Sequence, residues 1–402
     1  MRVDMRIKSV RCVQINSPAT EPSSDTRPGW NTYATRSQPI ARYTDFTRVD
    51  GKKPGSTKKA WVLVTAEDGT FGLGSFAHGQ LAASVVDYFI APLIEGRDAL
   101  ATELVNDLIW RSQEGFQGGI ATAAQSGVDL ALWDLKGKLL DKPVYELIGG
   151  PSRQAVELYA TGDDLEWMKE LGFTRFKISN PFFYEEGSEG LAKLEEHVAW
   201  ARGIVGDEAE LTFNPVMSFN VDLALRVAER LRPYKLRWFE EPLPPWDLQG
   251  YIELNRCITW TALATGEHHY GRKAFQQLVG SRAADIIQPD IEWTGGLSET
   301  LKIYTYAEAA GIETITHMGG STAWGQHFAL AMPESSQAEW FMNTDVGQPV
   351  GDKLLPGVAT AKDGKVVPSD APGFGLEIPE DWIVPWDHGN QARAVYLPPQ
   401  NQ

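Results

Sequence analysis

Along the first third of the chain the apolar positions change period. Residues 5–16, 61–65 and 71–76 read as strands, and Asp68-Gly69 between the last two predicts a hairpin with a tight turn. From residue 82 to 147 the spacing becomes helical. Ala123, Val128, Leu130, Ala131, Leu135 and Leu139 fall on one broad apolar face that ends near Gly149-Gly150, which predicts a helical bundle packed beside the first sheet. Residues 17–56 have no period and are rich in Pro, Gly, Thr and Arg; so long an aperiodic stretch inside a compact domain is a functional lid or a disordered segment.

After residue 150 the pattern repeats. Short apolar runs that end in polar residues stand at Val156–Thr161 and at 173–179, 210–215, 236–242, 262–267, 285–290, 313–318 and 338–343, with helical segments such as Val221–Leu231 and 298–310 between them. Eight β units alternating with helices over about two hundred residues are what a (β/α)8 barrel requires. From residue 358 the chain returns to Pro- and Gly-rich sequence, including Pro372-Gly373-Phe374-Gly375. The expected organisation is an α/β protein: an α+β capping domain over residues 1–150, a (β/α)8-type barrel over 151–357, and a tail over 358–402 that packs on the cap.

Charge and cysteine usage narrow the setting. With 53 Asp+Glu against 37 Lys+Arg the net charge is −16, which opposes both phosphate backbones and anionic membranes, so nucleic acid and membrane are not expected partners. Cys12 and Cys257 form no C-x-x-C pair and no disulfide framework. Residues 1–10 carry Asp4 among basic residues and lack the apolar stretch of a signal peptide, and no run approaches 18 consecutive apolar residues; the expected compartment is the reducing cytoplasm.

In a barrel of this type the site forms at the C-terminal ends of the strands. Here the third unit ends in Asn214, the fourth in Glu240-Glu241, the fifth in Glu267-His268-His269, the sixth in Asp290 and the seventh in His317, while the eighth carries Glu339. Three oxygen donors on adjacent strands, Asn214, Glu240 and Glu267, suit a hard cation such as Mg²⁺, whereas zinc would want more nitrogen or sulfur. A divalent ion there can take a substrate carboxylate and stabilise the dianion formed when the neighbouring carbon loses its proton. His317 is placed as the base, and Asp290 one strand back can fix its tautomer. Gly69, Gly72 and Gly74 are not a dinucleotide fingerprint, since they lie in a hairpin and open no helix. Gly319-Gly320-Ser321 after the seventh strand is either a substrate-oxygen cradle or a plain turn. His78, His197 and His388 fall outside the strand ends and read as structural, and His269 and His327 as groups behind the site.

Six stretches carry a resemblance: Ser126 to Leu135 (SGVDLALWDL), Tyr159 to Gly162 (YATG), Glu240 to Pro245 (EEPLPP), Thr265 to His268 (TGEH), Asp285 to Asp290 (DIIQPD) and Ala338-Glu339. The chain resembles the enolase superfamily, mandelate racemase subgroup, and its acid-sugar dehydratases in particular. The resemblance implies Mg²⁺ on Glu240 and Glu267, a His317–Asp290 acid–base dyad, Glu339 facing the substrate carboxylate, and a homo-oligomer, commonly an octamer. It implies a small-molecule acid sugar as substrate and loss of the C2 proton and the 3-hydroxyl to give a 2-keto-3-deoxy acid. Enolase-type sites with a Lys or His base and Mg²⁺ are the family pattern. Lys177 and His268 are the barrel residues expected to touch substrate, and Arg36 and Arg42 the lid residues.

Three departures stand out. Racemases of this subgroup carry Lys-x-Lys on the second strand; here Lys177 is followed by Ser179, a hydroxyl with no evident base, which argues against racemisation. The family pattern has aspartate where this chain has Asn214, and a unit charge at about 4 Å and an effective dielectric of about 20 is worth roughly 4 kcal/mol, so weaker metal binding is expected. The dehydratases it most resembles place a histidine in the lid, whereas residues 17–56 contain none and offer Trp30, Tyr33, Arg36 and Arg42. The rival to an enzyme is therefore a non-catalytic acid-sugar-binding homologue.

Overall fold

The computed structural model describes residues 5–18, 39, 59–181, 187–342 and 355–388; Arg36, Arg42 and nearly all of the expected lid lie outside them. The cap begins with an antiparallel sheet of β1 (Ile7–Ile15), β2 (Ala60–Ala66) and β3 (Phe71–Phe76), in which Val62 faces Cys12 and Gly74. Helices α1 (Gly79–Val85), α2 (Thr102–Ser112) and α3 (Gly119–Leu140) cover it.

Helix α3 differs from the one-faced helix expected. Every residue from Ala121 to Leu135 is buried, because α3 lies between the cap sheet and the barrel. Gly72 and Gly74 permit this: a Cβ on Gly72 would meet the Ala131 carbonyl oxygen at 2.1 Å, and one on Gly74 the Gly127 oxygen at 2.3 Å. The polar residues of its SGVDLALWDL stretch are spent on backbone groups that would otherwise be orphaned. Ser126 Oγ accepts from Gly295 N–H, Asp129 Oδ2 from Ser298 N–H, and Asp134 from Leu73 and Phe374 N–H. The motif thus ties cap, barrel and tail together.

The barrel strands are β4 (Val156–Thr161), β5 (Arg175–Ser179), β6 (Glu210–Asn214), β7 (Trp238–Glu240), β8 (Ala262–Thr265), β9 (Ile286–Ile287), β10 (Glu313–Thr314) and β11 (Gln337–Phe341). They pair in parallel in the order β10-β9-β8-β7-β6-β5-β4-β11. Across the remaining seam, Gly320 N–H donates to the Glu339 carbonyl at 2.7 Å. Between the strands run α4 (Leu165–Glu170), α5 (Gly187–Val205), α6 (Val221–Leu231), α7 (Leu248–Cys257), α8 (Gly271–Ser281), α9 (Gly296–Ala310) and α10 (Ala323–Ala331). The tail divides: β12 (Lys365–Val366) pairs with β4 of the barrel, and β13 (Ile383–Pro385) adds an edge to β1 of the cap. Among the described residues no helix is long and apolar enough to cross a membrane.

Candidate active site

Alternation along each strand sends every second side chain inward, so the last inward residues of adjacent strands meet at the barrel mouth. His317 stands just beyond β10, and its Nδ1 lies 2.6 Å from Asp290 Oδ2, while its Nε2 is 3.2 Å from Glu267 Oε1 and 3.8 Å from Glu339 Oε2. Asp290 is held in turn by the Glu292 N–H on its other oxygen. Burial alone would push the imidazole down, but Glu267, Glu339 and Asp290 together push it up to about 10. The three expected groups of the dyad and its acidic partner are therefore in one cluster.

Glu339 lies on the floor of the mouth. It accepts from Thr161 Oγ1 (2.5 Å) and Met318 N–H (2.8 Å) and pairs with Lys177 Nζ (2.7 Å). Burial opposes its charge, yet Lys177 and His317 bring the carboxyl down to about 2. Lys177 is itself 2% exposed and also reaches Glu240 Oε1 at 2.6 Å, so its ammonium is held between two buried carboxylates.

Two of the expected metal donors, Asn214 at the end of β6 and Glu240 at the end of β7, are joined by an unexpected internal bond. Asn214 Nδ2 donates to Glu240 Oε1 at 2.8 Å, and its Oδ1 accepts from Val216 N–H at 2.6 Å. Glu240 Oε2 accepts from Trp238 Nε1 and Gln288 Nε2. Glu267 is different: its carboxyl is pushed up by burial, with His317 and His268 opposing. A second grouping shares it, since ligand atoms of Glu241, Glu267 and His268 lie within 4.8 Å of one another. A desolvated carboxylate among oxygen donors of two neighbouring strands is an environment that a hard divalent cation relieves, so these residues fit magnesium in donor chemistry.

Sequence reasoning did not assign a role to Glu241. At φ 37° it turns away from Glu240, and its Oε2 meets His268 Nδ1 at 2.7 Å. Burial works against both charges, but the pair holds Glu241 down to about 2 and His268 up to about 9. Trp293, also unassigned, has its ring 5.6 Å from His268 and 5.3 Å from His317. No spacing rule points to either contact, because both cross between strands.

The structure bears on four lesser expectations. Gly319-Gly320-Ser321 is a plain turn: its N–H groups go to Thr316, Glu339 and Met318 carbonyls, and a Cβ on Gly319 would sit 2.1 Å from Thr316 Oγ1. His327 is no neighbour of the mouth but a seam residue whose Nδ1 accepts from Tyr145 N–H. Ser179 does have a carboxyl behind it, since its Oγ donates to Asp163 at 3.2 Å. His197 Nε2 lies 3.1 Å from the Ser179 carbonyl, and burial pushes its imidazole down to about 4.

Comparisons with known proteins agree on the architecture. Residues 54–149 match the N-terminal domain of the mandelate racemase / muconate lactonizing enzyme family, and residues 161–382 match the enolase C-terminal domain-like family. The chain is 34% identical over 396 residues to L-rhamnonate dehydratase of Saccharopolyspora erythraea, covering 96% of this chain and 100% of that one. It is similar to the crystal structure of L-rhamnonate dehydratase from Gibberella zeae (TM-score 0.84, 29% identity, 96% and 97% of the two chains). The same is true of that enzyme complexed with Mg (TM-score 0.83, 28% identity, 96% and 97%).

Proposed function

The chain belongs to the mandelate racemase / muconate lactonizing enzyme family of the enolase superfamily, and from that premise we propose a magnesium-dependent acid-sugar dehydratase. The observation that carries this reading is His317 seated between Asp290 and Glu267 at the mouth, a base beside an acidic donor set. Glu240, Glu267 and Asn214 would hold magnesium, which when bound supplies charge stabilisation to a substrate carboxylate as the adjacent proton leaves. In the neutral imidazole, Asp290, by accepting from Nδ1, keeps the lone pair of His317 on Nε2, the nitrogen facing the mouth, and Nε2 takes the proton from C2. Departure of the 3-hydroxyl as water then leaves a 2-keto-3-deoxy acid.

The leading substrate is L-rhamnonate, supported by the curated relative and the solved structures. Residues 17–56 contain no histidine, which keeps L-lyxonate and L-mannonate as rivals. A panel of acid sugars with Mg²⁺, read by formation of 2-keto-3-deoxy acid, orders them: L-rhamnonate turned over fastest supports the assignment, and much faster turnover of another acid replaces it. The setting proposed is the reducing cytoplasm, with Cys12 buried and Cys257 exposed as free thiols. The assembly proposed is a homo-oligomer, octameric by resemblance; the exposed Tyr88, Phe89 and Phe116 on the cap support self-association, which light scattering measures.

A further inference from the structure

A carboxylate at the junction of cap and barrel has no part in the reaction above. Glu292 stands two residues beyond Asp290, in the turn between β9 and α9, and its side chain is 12% exposed. Its Oε1 takes two donors from the cap: Lys59 Nζ at 2.7 Å, from the residue before β2, and the buried Ser75 Oγ at 2.5 Å, from β3. Lys59 is half exposed, and its ammonium also lies over the rings of Trp61 in the cap (5.9 Å) and Trp324 in α10 (6.0 Å).

The backbone of the same residue bears on the base. Glu292 N–H donates to Asp290 Oδ1 at 2.7 Å, while Asp290 Oδ2 lies 2.6 Å from His317 Nδ1. The Asp290 carbonyl accepts from Trp293 and Thr294 N–H, so residues 290–294 close into one turn, and the Trp293 ring lies 5.3 Å from that of His317. A continuous path of polar contacts thus runs from Lys59 through Glu292 and Asp290 to His317. Without Lys59, a nearly buried carboxylate would keep Ser75 alone, a cost that it relieves by swinging toward water. That swing draws the Glu292 N–H away from Asp290. Ser126 and Asp129 also join the cap to this end of the barrel, but on Gly295 and Ser298, beyond the turn.

We propose that Glu292, held by Lys59 and Ser75, is a positioning residue: through it the seating of the cap on the barrel sets the orientation of the Asp290–His317 pair. The inference rests on the dehydratase reading, since what it governs is removal of the C2 proton by His317 Nε2. Proton removal depends steeply on geometry, and a misplacement of about 1 Å can cost about 100-fold. A half-exposed ion pair, by contrast, adds little to stability. Rate and stability are therefore expected to separate, with the loss in kcat and not in KM.

The test uses the full chain with Mg²⁺ and the acid sugar that the panel ranks fastest, carrying hydrogen or deuterium at C2. Lys59→Met is expected to lower kcat about tenfold and Glu292→Ala about 30-fold, with KM within about threefold, and Lys59→Arg to restore most of the rate. The double variant should be no slower than Glu292→Ala, because both changes act through one contact. Melting temperatures should stay within about 4 °C of wild type and Mg²⁺ bound per chain should be unchanged by calorimetry, so that the lost rate is not a lost fraction of folded protein. The deuterium isotope effect on kcat should equal or exceed that of wild type, since the slowed step is proton removal. Lys59→Met, half exposed, carries the test even where Glu292→Ala unfolds. Wild-type kcat in Lys59→Met overturns the proposal. So does a slower variant whose isotope effect falls, or whose bound Mg²⁺ falls in step with kcat, because another step or the fold itself is then what the contact serves. Wild-type protein inert toward every acid of the panel overturns the dehydratase reading, and this inference with it.

Discussion

Two histidines, His317 just beyond β10 and His327 within α10, show how differently one side chain behaves in two regions of the molecule. At the mouth, His317 faces three carboxylates and is pushed up to about 10. At the seam between α10 and the tail, His327 packs against Tyr145 and Phe374, accepts one backbone N–H, and is pushed down to about 3 by burial. Burial opposes the imidazolium in both places, so the sign is decided by whether carboxylates share the burial. The mouth concentrates charge that must be matched, whereas the seam excludes it.

The strongest way to break this contrast is to remove the charged histidine. His317→Asn should lower turnover by about 10⁴-fold without unfolding the protein, whereas His327→Asn should leave turnover within about threefold; kcat and thermal melts separate the two. Next in size is Lys177→Met, which strips the ammonium shared by Glu240 and Glu339 and should cost about 3–5 kcal/mol, read by denaturant titration. A loss under 1 kcal/mol would mean that the floor is not held by charge pairing.

Asn214→Asp sharpens the account of the acidic donors. It replaces an amide donor 2.8 Å from Glu240 by a second carboxylate, so the metal-free protein should melt lower while Mg²⁺ affinity rises about tenfold, worth about 1.4 kcal/mol. Calorimetry and melts with and without Mg²⁺ check both halves, and equal affinity in the two proteins would exclude Asn214 from the donor set. The last effect, absent near neutral pH, concerns the seam. The folded-state value of His327 lies below its ordinary 6.5, so its contribution to stability is present above pH 6.5 and is lost as pH falls toward about 3, by up to about 1.4 kcal/mol per pH unit. In His327→Asn that part of the pH slope should disappear.

The sequence exposed the barrel because each β unit ends in a polar residue with a chemical identity, and Asn214, Glu240, Glu267, Asp290, His317 and Glu339 do meet at one mouth. It underestimated the burial of α3, since the packing that surrounds a helix depends on glycines in another element, here Gly72 and Gly74. It could not reveal who pairs with whom across the barrel. Lys177 between Glu240 and Glu339, Glu241 on His268, and Asp163 on Ser179 join residues 16 to 162 positions apart, and none forms a local motif. Strands β9 and β10 are only two residues long because the chain leaves the ladder early to set Asp290 and His317, which share an isolated bridge.

The most direct test of the central claim is the formation of 2-keto-3-deoxy acid from L-rhamnonate and Mg²⁺ by wild-type protein and His317→Asn, assayed side by side. The account predicts product with the wild type and none above background with the variant, although both bind the acid. Equal product from both would contradict the assignment of His317 as the base, and no product from the wild type across the acid-sugar panel would contradict the dehydratase itself.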